Sequence, residues 1–203
     1  MSRFTRIAAA VAGAVALAAA GLFVLRSPAP ELNGHLMEPP LEAPSVDPTL
    51  RSSEGPVRLS DLHGRHTVLF FGYTHCPDVC PLTLARVARA LELMEPAAAE
   101  RLGVVMVSVD PERDTPELTD AYARRFHPSF RGLSGERDAI EAVASAYGVF
   151  HGRARGEAGE GDDYLVDHSA TLLVLDPDGR VRMMMSQSLT AEEIAADLAW
   201  LVG

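Results

Sequence analysis

Residues 67–84 read Thr-Val-Leu-Phe-Phe-Gly-Tyr-Thr-His-Cys-Pro-Asp-Val-Cys-Pro-Leu-Thr-Leu and hold both cysteines of the chain, Cys76 and Cys80. Val68 to Phe71 is an unbroken apolar run, short and rich in β-branched and aromatic residues. That is the pattern of a strand buried on both faces. Leu82, Leu84, Val87, Leu91 and Met94 then recur at near-helical spacing. The stretch therefore predicts strand, tight turn, helix, with both thiols at the turn. A helix N-terminus presents unpaired N–H groups and partial positive charge, which favour a thiolate. Pro81 suits a first helical turn, so the regular helix is expected from about Pro81, with both cysteines on the loop before it.

The 203 residues, 47% of them hydrophobic, suffice for one domain of ordinary size plus extras. A net charge of −10 argues against a nucleic-acid partner. Two cysteines cannot build a disulfide scaffold; a single pair is a redox site, a metal site or chance.

Arg3 and Arg6 precede the apolar stretch 7–25, which Arg26 closes. Its length is near the ~20 residues of a membrane-spanning helix. Residues 1–26 thus read as a membrane anchor or a signal, and length favours the uncleaved anchor over a cleaved signal peptide. No cysteine follows the stretch, so a lipoprotein anchor is not expected. The Arg asymmetry, two on the N-terminal side against one on the other, favours an N-terminus in the cytoplasm, and either reading sends the remainder across the membrane. Residues 27–46, with Pro28, Pro30, Pro39, Pro40 and Pro44, read as a Pro-rich tether. His35 and Met37 within it are taken as ordinary linker residues. The folded domain is expected over 47–203.

Within it, 49–52 and 57–59 flank a turn and predict a hairpin. Residues 102–109 form a second buried strand. Thr115, Pro116 and Glu117 signal a helix start. Residues 130–133 suggest a short strand, 136–147 a helix stopped by Gly148, and 151–163 a surface loop. Strands over 170–175 and 181–185 flank the turn Asp176-Pro177-Asp178-Gly179. Thr190 and Glu193 form a capping box for a last helix. The alternation implies an α/β sheet with parallel strands, helices on both faces and a terminal antiparallel hairpin. With thiols on the turn after the first central strand, it suggests a thioredoxin-like fold. In open α/β sheets, binding residues lie beyond the C-terminal ends of parallel strands, which puts Cys76, Cys80 and Asp110 on one edge.

The spacing is Cys-x-x-x-Cys. Two thiolates four apart can face one point and need a third ligand to close a trigonal site. Soft thiolates select Cu(I), with zinc as competitor, and imidazole suits both. Among seven histidines, His168 is the best placed, because it precedes a buried strand whose start lies near the cysteine edge. His75 should point elsewhere. A metal site, a redox pair and inert thiols all remain open on spacing alone. Asp110 is either an aid to the thiols or an ordinary strand-end turn. Met183, Met184 and Met185 are read as sheet packing. A three-residue turn would pair Leu172 with Met184, putting Met184 on the face of His168.

Three motifs carry a resemblance: residues 70–81 (Phe-Phe-Gly-Tyr-Thr-His-Cys-Pro-Asp-Val-Cys-Pro), residues 108–116 (Ser-Val-Asp-Pro-Glu-Arg-Asp-Thr-Pro), and Asp167-His168-Ser169. From about residue 47 onward the chain resembles the Sco/SenC family. The resemblance implies a thioredoxin-like domain facing the periplasm or intermembrane space, here the periplasmic side of a single-pass inner-membrane protein, that binds copper through Cys76, Cys80 and His168. It also implies delivery of copper to the dinuclear centre of cytochrome c oxidase subunit II, or work with its assembly factors. The rival reading is a thiol–disulfide reductase acting on the cysteines of a copper protein. A peroxidase of the peroxiredoxin type lacks support, because Tyr73 stands where it would need threonine.

Overall fold

The computed structural model describes residues 31–154 and 164–203. The expected span, residues 7–25, lies outside them. Among the described residues, no helix is long and apolar enough to cross a membrane.

β4 (His66–Gly72) is the middle of the fold. It runs parallel to β5 (Leu102–Ser108) in continuous register from His66↔Leu102 to Gly72↔Ser108, and antiparallel to β9 (Leu172–Leu175) on its other side. Pairing on both edges and cover on both faces explain why Val68, Leu69, Phe70 and Phe71 are all inaccessible to solvent. At about 1.5–3 kcal/mol per fully buried large apolar side chain, this run is a main source of stability. The six-stranded sheet has the order β1-β10-β9-β4-β5-β6, with β1 (His35–Leu41) at one edge, β6 (Arg131–Leu133) parallel to β5 and β10 (Val181–Met185) antiparallel to β9. Helices α1 (Val79–Leu93), α2 (Pro96–Ala99), α3 (Pro116–Arg124), α4 (Arg137–Ala146) and α5 (Ala191–Val202) complete it. A separate hairpin, β2 (Leu50–Ser52) with β3 (Gly55–Val57), turns at Ser53 and Glu54, so its second arm takes in Gly55 and Pro56 and stops before Leu59, which opens a 3-10 helix. This is the thioredoxin-like α/β arrangement expected from the sequence.

Local signals acted as their chemistry requires. Thr115 accepts the Leu118 N–H at the start of α3, and Thr190 and Glu193 cap α5 reciprocally. Gly148 ends α4 with φ +67°, a conformation open to glycine.

Four expectations are corrected. Residues 35–41 are not tether: β1 (His35–Leu41) pairs antiparallel with β10 as the edge strand, and residues Leu32–Gly203 form one compact unit. Pro39 and Pro40 hid it, yet an edge strand tolerates residues without an N–H donor. Its start is pinned by the buried Asp197 of α5, which accepts the Asn33 N–H, the Asn33 Nδ2 amide and, at 2.7 Å, the Gly34 N–H. Next, His151–Arg153, expected as loop, form β7, paired with β8 (Val166–His168); residues 155–163 lie outside the described set. Third, α1 begins at Val79 rather than Pro81. Pro81 is its third residue, where the N–H has no intrahelical partner to lose. Finally, the terminal hairpin turns as expected, with the Asp176 N–H donating to the Arg180 carbonyl. A bulge between Val181 and Met183 then shifts the register by one, so Leu172 faces Met185 and Leu173 faces Met184. Met183 and Met185 are wholly buried, in keeping with packing, and Met184 lies on the opposite side of the strand, opposed to His35.

Candidate metal centre

β4 and β5 end side by side at Gly72 and Ser108, and the Val109 N–H donates to the Gly72 carbonyl. Two connections therefore leave the sheet together: the cysteine loop from Tyr73, and the turn that begins at Asp110. Cys76 lies partly exposed in that loop. Cys80, expected beside it on the loop, is instead in the first turn of α1 and fully buried. Both are free thiols.

The helix start polarises the pair. The Cys80 thiol donates to Cys76, which also accepts the backbone N–H groups of Cys80, at 3.4 Å, and of Asp78. These donors outweigh burial and hold the Cys76 thiol down to about 5. Cys80 moves the other way, because its proton is held by the Cys76 thiolate and its sulfur is buried. The pair therefore carries one negative charge, centred on the more accessible sulfur.

His168 closes on this pair from β8. Its Nε2 stands 3.4 Å from the Cys80 Sγ, and its Nδ1 stands 3.1 Å from the Val166 carbonyl. A carbonyl only accepts, so Nδ1 donates to it, and Nε2 is the ring nitrogen turned toward the sulfurs. Tyr73 meets the imidazole edge-on, with centroids 5.5 Å apart, and Phe70 does so at 6.4 Å. Bonds of about 2.3 Å to sulfur and about 2.0 Å to nitrogen, the zinc values, put two donors on one metal roughly 3.4–3.7 Å apart at angles of about 105–120°. The Cys80–His168 separation falls in that range. Among the described residues no three Cys, His, Asp or Glu donors are already drawn into a closed metal cage. The three donors meet through pairwise contacts, Cys76 with Cys80 and Cys80 with His168.

The other histidines near the site are occupied. His75 lies against Thr74 Oγ1 at 3.0 Å and 3.5 Å from Asp114, so its Nδ1 is engaged there. His151 is paired with His168 across β7–β8, but its Nε2 lies 3.0 Å from Glu141.

The surrounding polar groups hold the loops. Asp110 is buried; its carboxylate accepts from Arg113 Nε and from the Tyr164 hydroxyl, each at 2.6 Å. It reaches the site only through those partners, which makes it more than a turn former and less than a thiol neighbour. Asp114 was not singled out from the sequence. It is fully buried and accepts the Thr74 N–H at 2.8 Å, the Thr74 hydroxyl at 2.5 Å and the Ser108 hydroxyl at 2.6 Å. A second carboxylate four residues after Asp110, in a turn that folds back on its own strand, was the available signal. Gly72 is required for close approach: a Cβ there would lie 2.8 Å from the Cys80 Sγ and 2.7 Å from Phe70.

The SCO1/SenC family model matches residues 49–203. The apo Sco1 protein of Thermus thermophilus is 44% identical, with a TM-score of 0.73 over 84% of this chain and 96% of that one. Copper-bound ScoI of Bradyrhizobium japonicum is 37% identical, with a TM-score of 0.68 over 77% of this chain and 98% of that one. The human mitochondrial SCO1 homolog is 36% identical over 140 residues, 68% of this chain and 46% of that protein. This chain spans about half the length of the curated relatives it matches. With more than half of its residues matched by the family model, and with the cysteine pair, the Asp110 turn and His168 converging on one edge, the chain belongs to the SCO1/SenC family.

Proposed function

We propose that this chain is a copper metallochaperone. Cys76, Cys80 and His168 bind the metal as cargo and pass it to the dinuclear copper centre of cytochrome c oxidase subunit II. One observation carries the reading: His168 Nε2 faces the Cys80 sulfur at 3.4 Å while Nδ1–H is committed to Val166, beside a Cys76 sulfur already held as thiolate. A copper ligand set needs soft, deprotonated sulfur and a neutral imidazole. Relatives from Bradyrhizobium japonicum, Arabidopsis thaliana and yeast have been solved with copper bound, and the Sco family is involved in cytochrome c oxidase assembly.

The site suits transfer. Cys80 is buried and Cys76 is partly exposed, so a partner's donor can approach on the Cys76 side and take copper without releasing it to water. Residues 7–25 would hold the protein in the inner membrane with the domain on the periplasmic side. Because residues 35–41 belong to the sheet, about nine residues separate that span from β1, a reach of at most roughly 30 Å.

A second reading rests on the same thiols. A nucleophilic Cys76 beside a protonated Cys80 is the arrangement of an attacking and a resolving thiol. Cys76 would displace one sulfur of a partner disulfide, and Cys80 would then release the second, leaving a Cys76–Cys80 disulfide and two reduced partner thiols. Transfer assays separate the two readings. The copper-loaded chain, mixed with metal-free subunit II whose cysteines are already reduced, should build the dinuclear centre, and His168→Ala should not. Assembly that needs an oxidised partner and ignores His168→Ala would favour the reductase.

A further inference from the structure

β8 carries His168, yet it has three residues and belongs to a two-stranded sheet outside the main one. So short a ribbon cannot fix a ligand by its ladder alone. Tyr164, two residues before β8, is buried, and the guanidinium carbons of Arg113 and Arg153 stand 3.6 and 3.9 Å from its ring centroid. Each contact is a cation–π interaction, and partial burial strengthens it. The Tyr164 hydroxyl donates to Asp110 at 2.6 Å.

The two arginines tie the ring to the rest of the site. Arg153 lies on β7, opposite Val166, the residue whose carbonyl fixes the His168 tautomer. Arg113 is ion-paired with Asp110 at 2.6 Å and stands 5.8 Å from the ring of Tyr73. Tyr73 belongs to the cysteine loop and meets the His168 imidazole edge-on. The ring of Tyr164 therefore joins the Asp110 turn, β7 and the strand of His168, and through Arg113 it reaches the cysteine loop.

We propose that Tyr164 is a positioning residue: clasped by Arg113 and Arg153, it sets the His168 imidazole against the sulfurs and so decides whether the third donor is in place. This rests on His168 being a copper ligand. Outer partners of metal ligands commonly change affinity by 10–100-fold when lost.

The test is a double-mutant cycle on the full chain, with Cu(I) affinity read by competition against a chromophoric chelator. Tyr164→Leu keeps buried apolar bulk but removes the π face and the hydroxyl. It should weaken Cu(I) binding about 10-fold in the native background and less than about 2-fold with His168→Ala. Tyr164→Phe keeps the ring between its cations and should stay within about 3-fold of the parent. Arg153→Gln, at a side chain 60% exposed that also pairs with Glu112 at 2.7 Å, should give an intermediate loss that also vanishes with His168→Ala. Equal losses in the two backgrounds would make Tyr164 merely structural and overturn the proposal, as would full affinity in Tyr164→Leu. If His168→Ala alone left Cu(I) affinity unchanged, the three-donor reading itself would fall, and the positioning role with it.

Discussion

The clearest consequence of the cysteine geometry is how Cys76 reacts as pH is varied in the metal-free protein. With its thiol held down to about 5, Cys76 is about 99% thiolate at pH 7, against roughly 3% for a free cysteine at about 8.5. The reactive fraction is thus about 30-fold larger. A less basic sulfur is also a weaker nucleophile: with a Brønsted slope of about 0.45, 3.5 units cost roughly 40-fold. The two effects nearly cancel at pH 7, so the absolute rate there tells little and the profile tells much. At pH 5.5 the thiolate fraction is about 76% against about 0.1%, a gain near 760-fold that leaves Cys76 alkylating about 20-fold faster than a free thiol. Iodoacetamide kinetics from pH 4 to 9, followed by mass spectrometry, should show one labelled site, half-maximal near pH 5 and flat above about pH 6.5. Cys80→Ala removes the main donor to the thiolate and should move the midpoint upward. A native rate that climbs tenfold per unit from pH 6 to 8 would refute the argument.

Other positions test the scaffold around the thiols. Asp114→Asn keeps the shape but turns an amide toward groups that donate from Thr74 and Ser108. Hydrogen bonds to a charged group contribute about 1.5–3 kcal/mol each, so urea unfolding should show a loss of about 3 kcal/mol, and a loss under 1 kcal/mol would count against the anchor. Gly72→Ala forces Phe70 or Cys80 to move and should cost about 1–3 kcal/mol together with weaker copper binding. Gly103→Ala is its control: the nearest atoms belong to the flexible end of Arg65, so stability should hold within about 0.5 kcal/mol.

Where local chemistry alone decided the outcome, the sequence was legible. The run from Val68 to Phe71, short and rich in β-branched and aromatic residues, read as a doubly covered strand, and Thr115, Gly148, Thr190 and Glu193 mark helix ends through their own backbone or capping bonds. What escaped it depended on partners distant in sequence. β1 carries two prolines and exists because β10 and the Asp197 carboxylate receive it, 140 or more residues later. The Met183–Met185 register turned on a one-residue bulge, and no residue type announces one. At the site, spacing alone identified the two sulfurs and edge placement selected His168. The division of roles between the sulfurs came from Cys80 entering the helix, since only then is one sulfur buried and the other left at the N-terminus to gather donors. Asp114, Tyr164 and Arg153 were invisible in the same way: each acts on a loop that is near only after folding.

X-ray absorption of the Cu(I)-loaded full chain shows whether Cys76, Cys80 and His168 hold one copper together. The expected spectrum is that of one copper per chain, with two sulfur neighbours at about 2.3 Å and one nitrogen at about 2.0 Å, the distances these donors take at zinc. The nitrogen shell should disappear in His168→Ala. A native spectrum with sulfur neighbours only, unchanged by His168→Ala, would contradict the three-donor site.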